Sequence, residues 1–335
     1  KNFAVCDAWF ASVPAQTWPN RGFVHTGTSR GEVTNGNIFA YAAETIFEVL
    51  QKIGASWGIY KNTVLPSLTQ LQYPRLDVFQ DHFHTLATFK ADAHNGTLPR
   101  YSFVEPSFVF QPDDQHPPHD VSLGDRLLLD IWTAISTGPH WNSTLLIITY
   151  DEHGGCYDHV PPPWGAAIPD AASNPGQQGF RFNRFGVRVP AVVVSPLIES
   201  GTVFRSPTGI PFDHTSVLAT LRDWLSIPAE LMLPSQRIVA APTLELLLTL
   251  DQPRGDLPVI PAAHPHSSLL ALAAHAMAPL NDLQLSMIVA LEAQRLGRAL
   301  QPLEVQLLRQ RVPNVTHLAS FFHGAGRLPM SVLEV

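Results

Sequence analysis

Residues 145–155 read LLIITYDEHGG. The unbroken apolar run 145–149 suits a strand buried on both faces, as in a parallel sheet. The acidic pair Asp151-Glu152 follows at once, and then the glycines Gly154 and Gly155. In open parallel sheets, ligand sites lie just beyond the carboxyl ends of the strands. This stretch therefore bears on both the architecture and the place where chemistry is expected. Acids after a strand commonly cap the next helix. Here, however, Asp151, Glu152, His153, Asp158 and His159 crowd within nine residues. Such a mix of oxygen and nitrogen donors suits a hard or borderline cation.

Outward from that stretch the chain keeps alternating. Segments 3–6, 56–60, 101–105 and 189–195 read as strands. Helical spacing runs through 36–52 (Ile38, Tyr41, Ala42, Thr45, Ile46, Val49), through 124–136 (Leu127, Leu128, Ile131, Trp132, Ile135) and through 212–225. The alternation predicts an α/β fold with a mostly parallel central sheet flanked by helices. Segment 161–188, rich in Pro, Gly, Asn and Gln, is too long for an ordinary connection and is expected to be functional or mobile. After about residue 228 the chain becomes Pro-rich and weakly patterned. Asn281 with Gln284 then predicts a capping box opening a helix through Leu296, and 303–311 is a further helical segment. We expect a catalytic domain over 1–228 and a Pro-rich, helical extension over 229–335.

At 45% hydrophobic residues, the 335-residue chain can bury a substantial core. Only 15% of residues are charged, and the net charge is −7 with no basic cluster, which argues against nucleic acid as partner. No run approaches the roughly 18 apolar residues a membrane span needs, so no transmembrane segment is expected. The sequence opens at Lys1 without a signal peptide, so any export signal is expected to be already removed or never included. The two cysteines, Cys6 and Cys156, are too few for a disulfide scaffold and are expected as free buried thiols.

Two further segments carry candidate chemistry. In 13–21, VPAQTWPNR, Pro19 suits the first turn of a helix and places Thr17 near its N-terminus. There, free backbone N–H groups and the helix dipole attract phosphate, and Arg21 would add a forked donor. Taken alone, the segment reads more simply as an N-cap threonine followed by a surface arginine. In 113–120, DDQHPPHD, His116 and His119 sit in a proline-stiffened loop able to aim a proton donor at a leaving oxygen. The plainer alternative, in which Asp120 caps the next helix and the histidines face solvent, stays open.

Seven stretches, in order, resemble one family: CDAWFASVPAQTWPNRGFVHTGTS (6–29), TIFEVLQKIGASWGIYK (45–61), GTLPRYSFVEPSF (96–108), DDQHPPHDVSLGD (113–125), TYDEHGGCYDHVPPP (149–163), FGVRVPAVVVSP (185–196) and FDHTSVLATLRDWL (212–225). The family is the bacterial phosphoesterases that include phosphatidylcholine-type phospholipases C, plant non-specific phospholipases C and certain acid phosphatases. The resemblance implies an alkaline-phosphatase-like α/β architecture and a secreted or periplasmic hydrolase of phosphate esters. Phospholipase C-type cleavage of a phospholipid comes first and phosphomonoester hydrolysis second, with a truncated homologue serving as a binding domain as the non-enzymatic alternative. It implies Thr17 as nucleophile, His116 as phosphate contact or general acid, and Asn20, Arg21, His119 and His159 as substrate contacts. One divalent ion (Ca, Mg, Mn or Zn) would be held by Asp151, Glu152 and Thr17. Peripheral contact with a membrane is compatible with such a substrate, and Trp9, Trp18 and Trp57 are candidates to bind a choline-type head group through cation–π contact. The family's Glu-Asn-Arg-Ser-Phe-Asp-His type segment, which completes its metal site, does not occur in this sequence. Weak metal binding and poor turnover are therefore expected of the 335 residues alone.

Overall fold

The computed structural model describes residues 2–36, 41–63, 65–261 and 274–324. In chain order the strands are β1 (Ala4–Cys6), β2 (Trp57–Lys61), β3 (Phe83–Thr85), β4 (Tyr101–Glu105), β5 (Leu146–Thr149), β6 (Ala191–Val194) and β7 (Val203–Phe204). The helices that matter below are α1 (Thr17–Thr26), α2 (Ile46–Lys52), α3 (Leu68–Gln72), α4 (Leu86–Asn95), α5 (Val121–Ser136), α6 (Thr215–Trp224), α7 (Gln236–Ala240) and α8 (Asp282–Leu296). The chain divides into two compact units. One comprises Lys1–Asn35, Ala40–Ser56 and Gly138–Val259; the other comprises Gly36–Phe39, Trp57–Thr137 and Ile260–Val335. This division follows other lines than the sequence boundary at 228. Residues 229–259 go with the first unit, and residues from 260 onward go with 57–137.

The first unit holds a four-stranded sheet in the order β5-β6-β1-β7. Here the expectation of a mostly parallel sheet is corrected: β6 runs antiparallel to both β5 and β1, and only β1 and β7 are parallel. A parallel return needs a crossover, usually a helix. The 150–190 connection contains only short 3-10 turns at Ala171–Ser173 and Gln177–Gly179, and it delivers β6 in the opposite sense. Strand β5 is also an edge strand in this sheet, half-buried along its length, not the doubly buried strand its apolar run suggested. The core behind the sheet gathers Ala4, Cys6, Trp9, Val189, Ala191, Val193, Phe204 and Phe212. Within it Trp9 stacks on Phe212 with ring centroids 5.7 Å apart. A large apolar member such as Val193 or Phe212, fully buried, contributes roughly 1.5–3 kcal/mol.

The long 161–188 segment is pinned by its own backbone. Gly165 and Ala166 N–H groups both donate to the Asn183 carbonyl, Phe185 N–H donates to Pro163, and Gln177 N–H donates to Gly31 at 2.7 Å. Helix α2 begins only after Thr45, which forms a capping box with Glu48. The predicted helix over 36–52 is shorter for that reason, and Ile38, one of the residues that suggested it, lies outside the described residues.

In the second unit the sheet is parallel throughout, in the order β3-β2-β4. Strands and helices alternate here, with α4 leading from β3 to β4; of these, the sequence pattern marks β2 and β4 but neither β3 nor α4. Helix α8 opens with the expected box, Asn281 and Gln284 capping each other reciprocally. It is buried along most of its length, and Gln284 and Gln294 donate to the Phe108 and Leu71 carbonyls at 3.0 and 2.8 Å. Trp57 stacks on His82 at 3.9 Å. Trp9, Trp18 and Trp57 are each no more than 2% exposed, so none of them presents a face to a head group. Cys6 is buried and free, its thiol pushed up to about 11 by burial; Cys156 is free but exposed, contrary to expectation.

Candidate active site

Thr17 is the first residue of α1 and is 5% exposed. The N-cap is Gln16, which makes no side-chain cap, and Arg21 one turn on is buried. The simpler reading of an N-cap threonine with a surface arginine therefore does not hold. What fixes the entry to α1 is Asn20. Its amide nitrogen donates to the carbonyls of Val13 (3.2 Å), Ala15 (3.0 Å) and Gln16 (3.3 Å), while its oxygen accepts the Val13 N–H at 3.1 Å. An amide engaged at both ends is a clamp on the Thr17 loop and has little left for a substrate. The backbone offers less to an anion than the sequence suggested. The Trp18 N–H goes to Asn35 Oδ1 at 2.9 Å, Asn20 N–H returns to Gln16, and Pro19 has no N–H. Deeper in the helix His25 is fully buried. Desolvation, with the charge of Arg21 adding to it, drives its imidazole well below the ordinary range and keeps it neutral.

The Asp151–His159 stretch is dispersed where the sequence suggested convergence. Gly154 and Gly155 both take positive φ (61° and 77°), the left-handed turn that glycine allows without strain, and the chain reverses there. Glu152 closes the turn by accepting the Gly154 N–H at 2.8 Å, and the His153 ring bonds the Cys156 carbonyl at 2.9 Å. Asp158 is held by Arg188 in a two-pronged ion pair at 2.7 and 2.8 Å. That pair, with the Val160 N–H, keeps its carboxyl far below the usual range. The side chain of His159 is 81% exposed. Among the described residues no three His, Cys, Asp or Glu side chains gather as a ligand set.

The segment FDHTS (212–216) brings a further histidine to this region, one that its sequence pattern alone does not mark. His214 is buried, and its Nε2–H donates to the Asp151 carbonyl at 2.7 Å. Its Nδ1 has no hydrogen-bond partner among the described residues. Burial pushes this imidazole below its ordinary range, against the neighbouring Asp213 charge. Asp151 and His214 are far apart in sequence, so only the tertiary structure reveals their link.

In the second unit, His119 Nδ1 pairs with Asp114 Oδ1 at 2.6 Å, both side chains nearly fully buried. His116 Nδ1–H donates to the Pro117 carbonyl at 2.7 Å. That bond places the proton of the neutral ring on Nδ1 and leaves Nε2 as the acceptor nitrogen. Asp120 does cap α5, accepting the Ser122 N–H, so the plainer reading holds for Asp120 and fails for the buried His119. Asp113 in the same loop is pushed up to about 6 by burial, against hydrogen bonds from Ser107 and Asn62.

Residues 1–228 match the model of the Phosphoesterase family. The chain is 42% identical over 271 residues to Non-specific phospholipase C4 of Arabidopsis thaliana, covering 77% of this chain and 50% of that protein. It is 31% identical over 314 residues to Phospholipase C B of Mycobacterium tuberculosis, covering 80% and 59%. A solved structure of a protein in the alkaline phosphatase superfamily from Vibrio parahaemolyticus superimposes with a TM-score of 0.44 at 13% identity, over 72% of this chain and 62% of that one. The chain spans about half the length of the Arabidopsis relative. With the family model reaching from the first residue past His214, and with the Thr17, Asp151-Glu152 and His214 segments all inside it, this chain belongs to the Phosphoesterase family.

Proposed function

We propose that this chain carries the ester-cleaving core of a phospholipase C-type hydrolase. The observation that carries the proposal is Thr17: a buried hydroxyl at the first position of α1, on a loop clamped by four hydrogen bonds of Asn20. A nucleophile must be held within a fraction of an ångström of its attack position to act efficiently, and the clamp supports that role. In the proposed reaction Thr17 Oγ1 forms a bond to phosphorus and the phosphorus–oxygen bond to the glycerol side breaks. The hydroxyl proton is lost to a base, and the leaving oxygen takes a proton from a general acid. Water then cleaves the phosphothreonine, restoring the hydroxyl and freeing the phosphorylated head group. The relatives named as phospholipases C favour a diester over a monoester.

A divalent ion of the kind the resemblance implies would draw on Asp151 and Glu152. Two adjacent carboxylates fall short of the four to eight ligands such ions take, and the described residues hold no group of three His, Cys, Asp or Glu side chains arranged to bind an ion. The deciding experiment is hydrolysis by the 335-residue chain of phosphatidylcholine vesicles and of p-nitrophenyl phosphate. Release of phosphocholine faster than of p-nitrophenol is expected. Turnover of the monoester alone would replace this reading with a phosphatase.

A further inference from the structure

Arg237 lies beyond the family-matched stretch, on the five-residue helix α7, yet it is only 1% exposed. All three guanidinium nitrogens are engaged. Nε donates to the Ala167 carbonyl at 2.8 Å, and Nη2 to the Phe182 carbonyl at 2.8 Å. Nη1 donates to the Ser12 carbonyl at 2.8 Å and to Asp213 Oδ2 at 3.3 Å. The group lies over the rings of Phe185 and Phe23, 4.8 and 5.1 Å from their centroids. Burying a charge is costly, and an apolar side chain of similar volume often serves stability as well or better. What the guanidinium adds is a fixed fork joining four separate segments, which no apolar residue provides.

Those segments lead to both parts of the candidate site. Ser12 immediately precedes Val13, the residue gripped by Asn20 at the entry to Thr17. Asp213 Oδ1 accepts the Thr215 N–H at 3.1 Å and its hydroxyl at 2.5 Å. It thereby shapes the turn from which His214 reaches the Asp151 carbonyl. Ala167 and Phe182 belong to the two limbs of the 161–188 segment. One side chain thus ties the nucleophile loop, the turn behind Asp151 and the long connection between them.

We propose that Arg237 is a positioning residue, holding the Thr17 loop through Ser12 and the Asp151-Glu152 turn through Asp213 and His214. The proposal rests on the hydrolytic reading above for its kinetic consequence, but its geometric content can be measured without turnover. Lysine in its place keeps the charge but cannot span the four acceptors.

The test compares the full chain with Arg237→Lys, Asp213→Asn and the double variant. It measures kcat and KM on a phosphate ester, thermal unfolding, and the nitrogen-bound proton of the His214 ring by NMR. Arg237→Lys is expected to fold, to lose about tenfold to a hundredfold in kcat, as groups supporting a reactive centre do, and to keep KM within about twofold. The His214 N–H resonance should shift or broaden. The double variant should be no worse than Arg237→Lys alone, because both changes cut one connection. A folded Arg237→Lys variant with kcat within about twofold of wild type and an unmoved His214 resonance would overturn the proposal, as would additive losses in the double. Should Arg237→Lys not fold, Asp213→Asn decides by the same two readouts, since it leaves the three carbonyl bonds of the guanidinium in place. If the wild-type chain hydrolyses nothing, the hydrolytic reading fails by itself, and the His214 resonance in the variants still settles the positioning role.

Discussion

Segments 13–21 and 151–159 both belong to the first unit, and both carry several polar residues in a short span. They fold to opposite effect. In 13–21 one polar side chain, Asn20, turns inward and fixes the loop, leaving Thr17 as the hydroxyl that the helix start presents. In 151–159 the polar residues separate: Glu152 closes its own turn, Asp158 goes to Arg188, and His159 points to solvent. Density of polar residues along a chain is therefore a poor guide to convergence. A single residue that satisfies several backbone groups is the better sign that a position is being held.

The largest effect should come from the held segment. Thr17→Ala is expected to lower kcat by about a thousandfold or more, as loss of a covalent nucleophile does, with the unfolding midpoint little changed. Activity above about a tenth of wild type would mean that the clamp holds something other than a nucleophile. Next in size, Asn20→Ala should cost about 3 kcal/mol in urea unfolding, because it strands buried backbone groups. It should also lower kcat by about tenfold or more through misplacement of Thr17. Loss of stability with turnover intact would make Asn20 a purely structural residue and blunt the contrast.

The dispersed segment makes smaller, sharper demands. Calorimetry of the chain with Ca, Mg, Mn or Zn should give affinities weaker than about micromolar, since two carboxylates on one turn supply too few ligands. Tighter binding would show that 151–159 converges after all. Smallest is Asp158→Asn. The Arg188 partnership lowers the folded pKa of Asp158 below its unfolded value near 4. Its stabilising contribution is therefore present above about pH 4 and disappears as the pH falls through the folded pKa. The stability gap between wild type and variant, read from unfolding curves, should narrow below about pH 4 and stay flat above it. A gap that grows toward acid would contradict the ion pair.

How much of this was legible in the sequence differs by scale. The helix start at Thr17 followed from Pro19, the capping box from Asn281 and Gln284, and β4 from its own five residues, because each is a local preference. Strand β3 was not foreseen. Three residues of Phe83–Thr85 carry too little pattern, and their extended form comes from pairing with β2. The sense of β6 was missed because strand direction is set by the whole 150–190 path and leaves no mark on the strand itself. At the site, Thr17 was visible as a helix-start hydroxyl, whereas Arg237 is one arginine in a weakly patterned region. Its burial is a property of the folded chain alone.

Gly27 ends α1 with φ at +74°, and a Cβ built there would lie 2.5 Å from Ile238 Cδ1 and 2.8 Å from Ser235 Cβ, while Ser235 Oγ donates to its carbonyl at 2.6 Å. In terms of sequence drift, positions 27 and 238 form a one-way pair. Ile238 can shrink without asking anything of Gly27, but Gly27 can grow only after Ile238 and the Ser235 turn have yielded, and even then a residue able to adopt left-handed backbone is needed. Variation is therefore expected first on α7, with glycine at 27 persisting until well after its neighbours have changed.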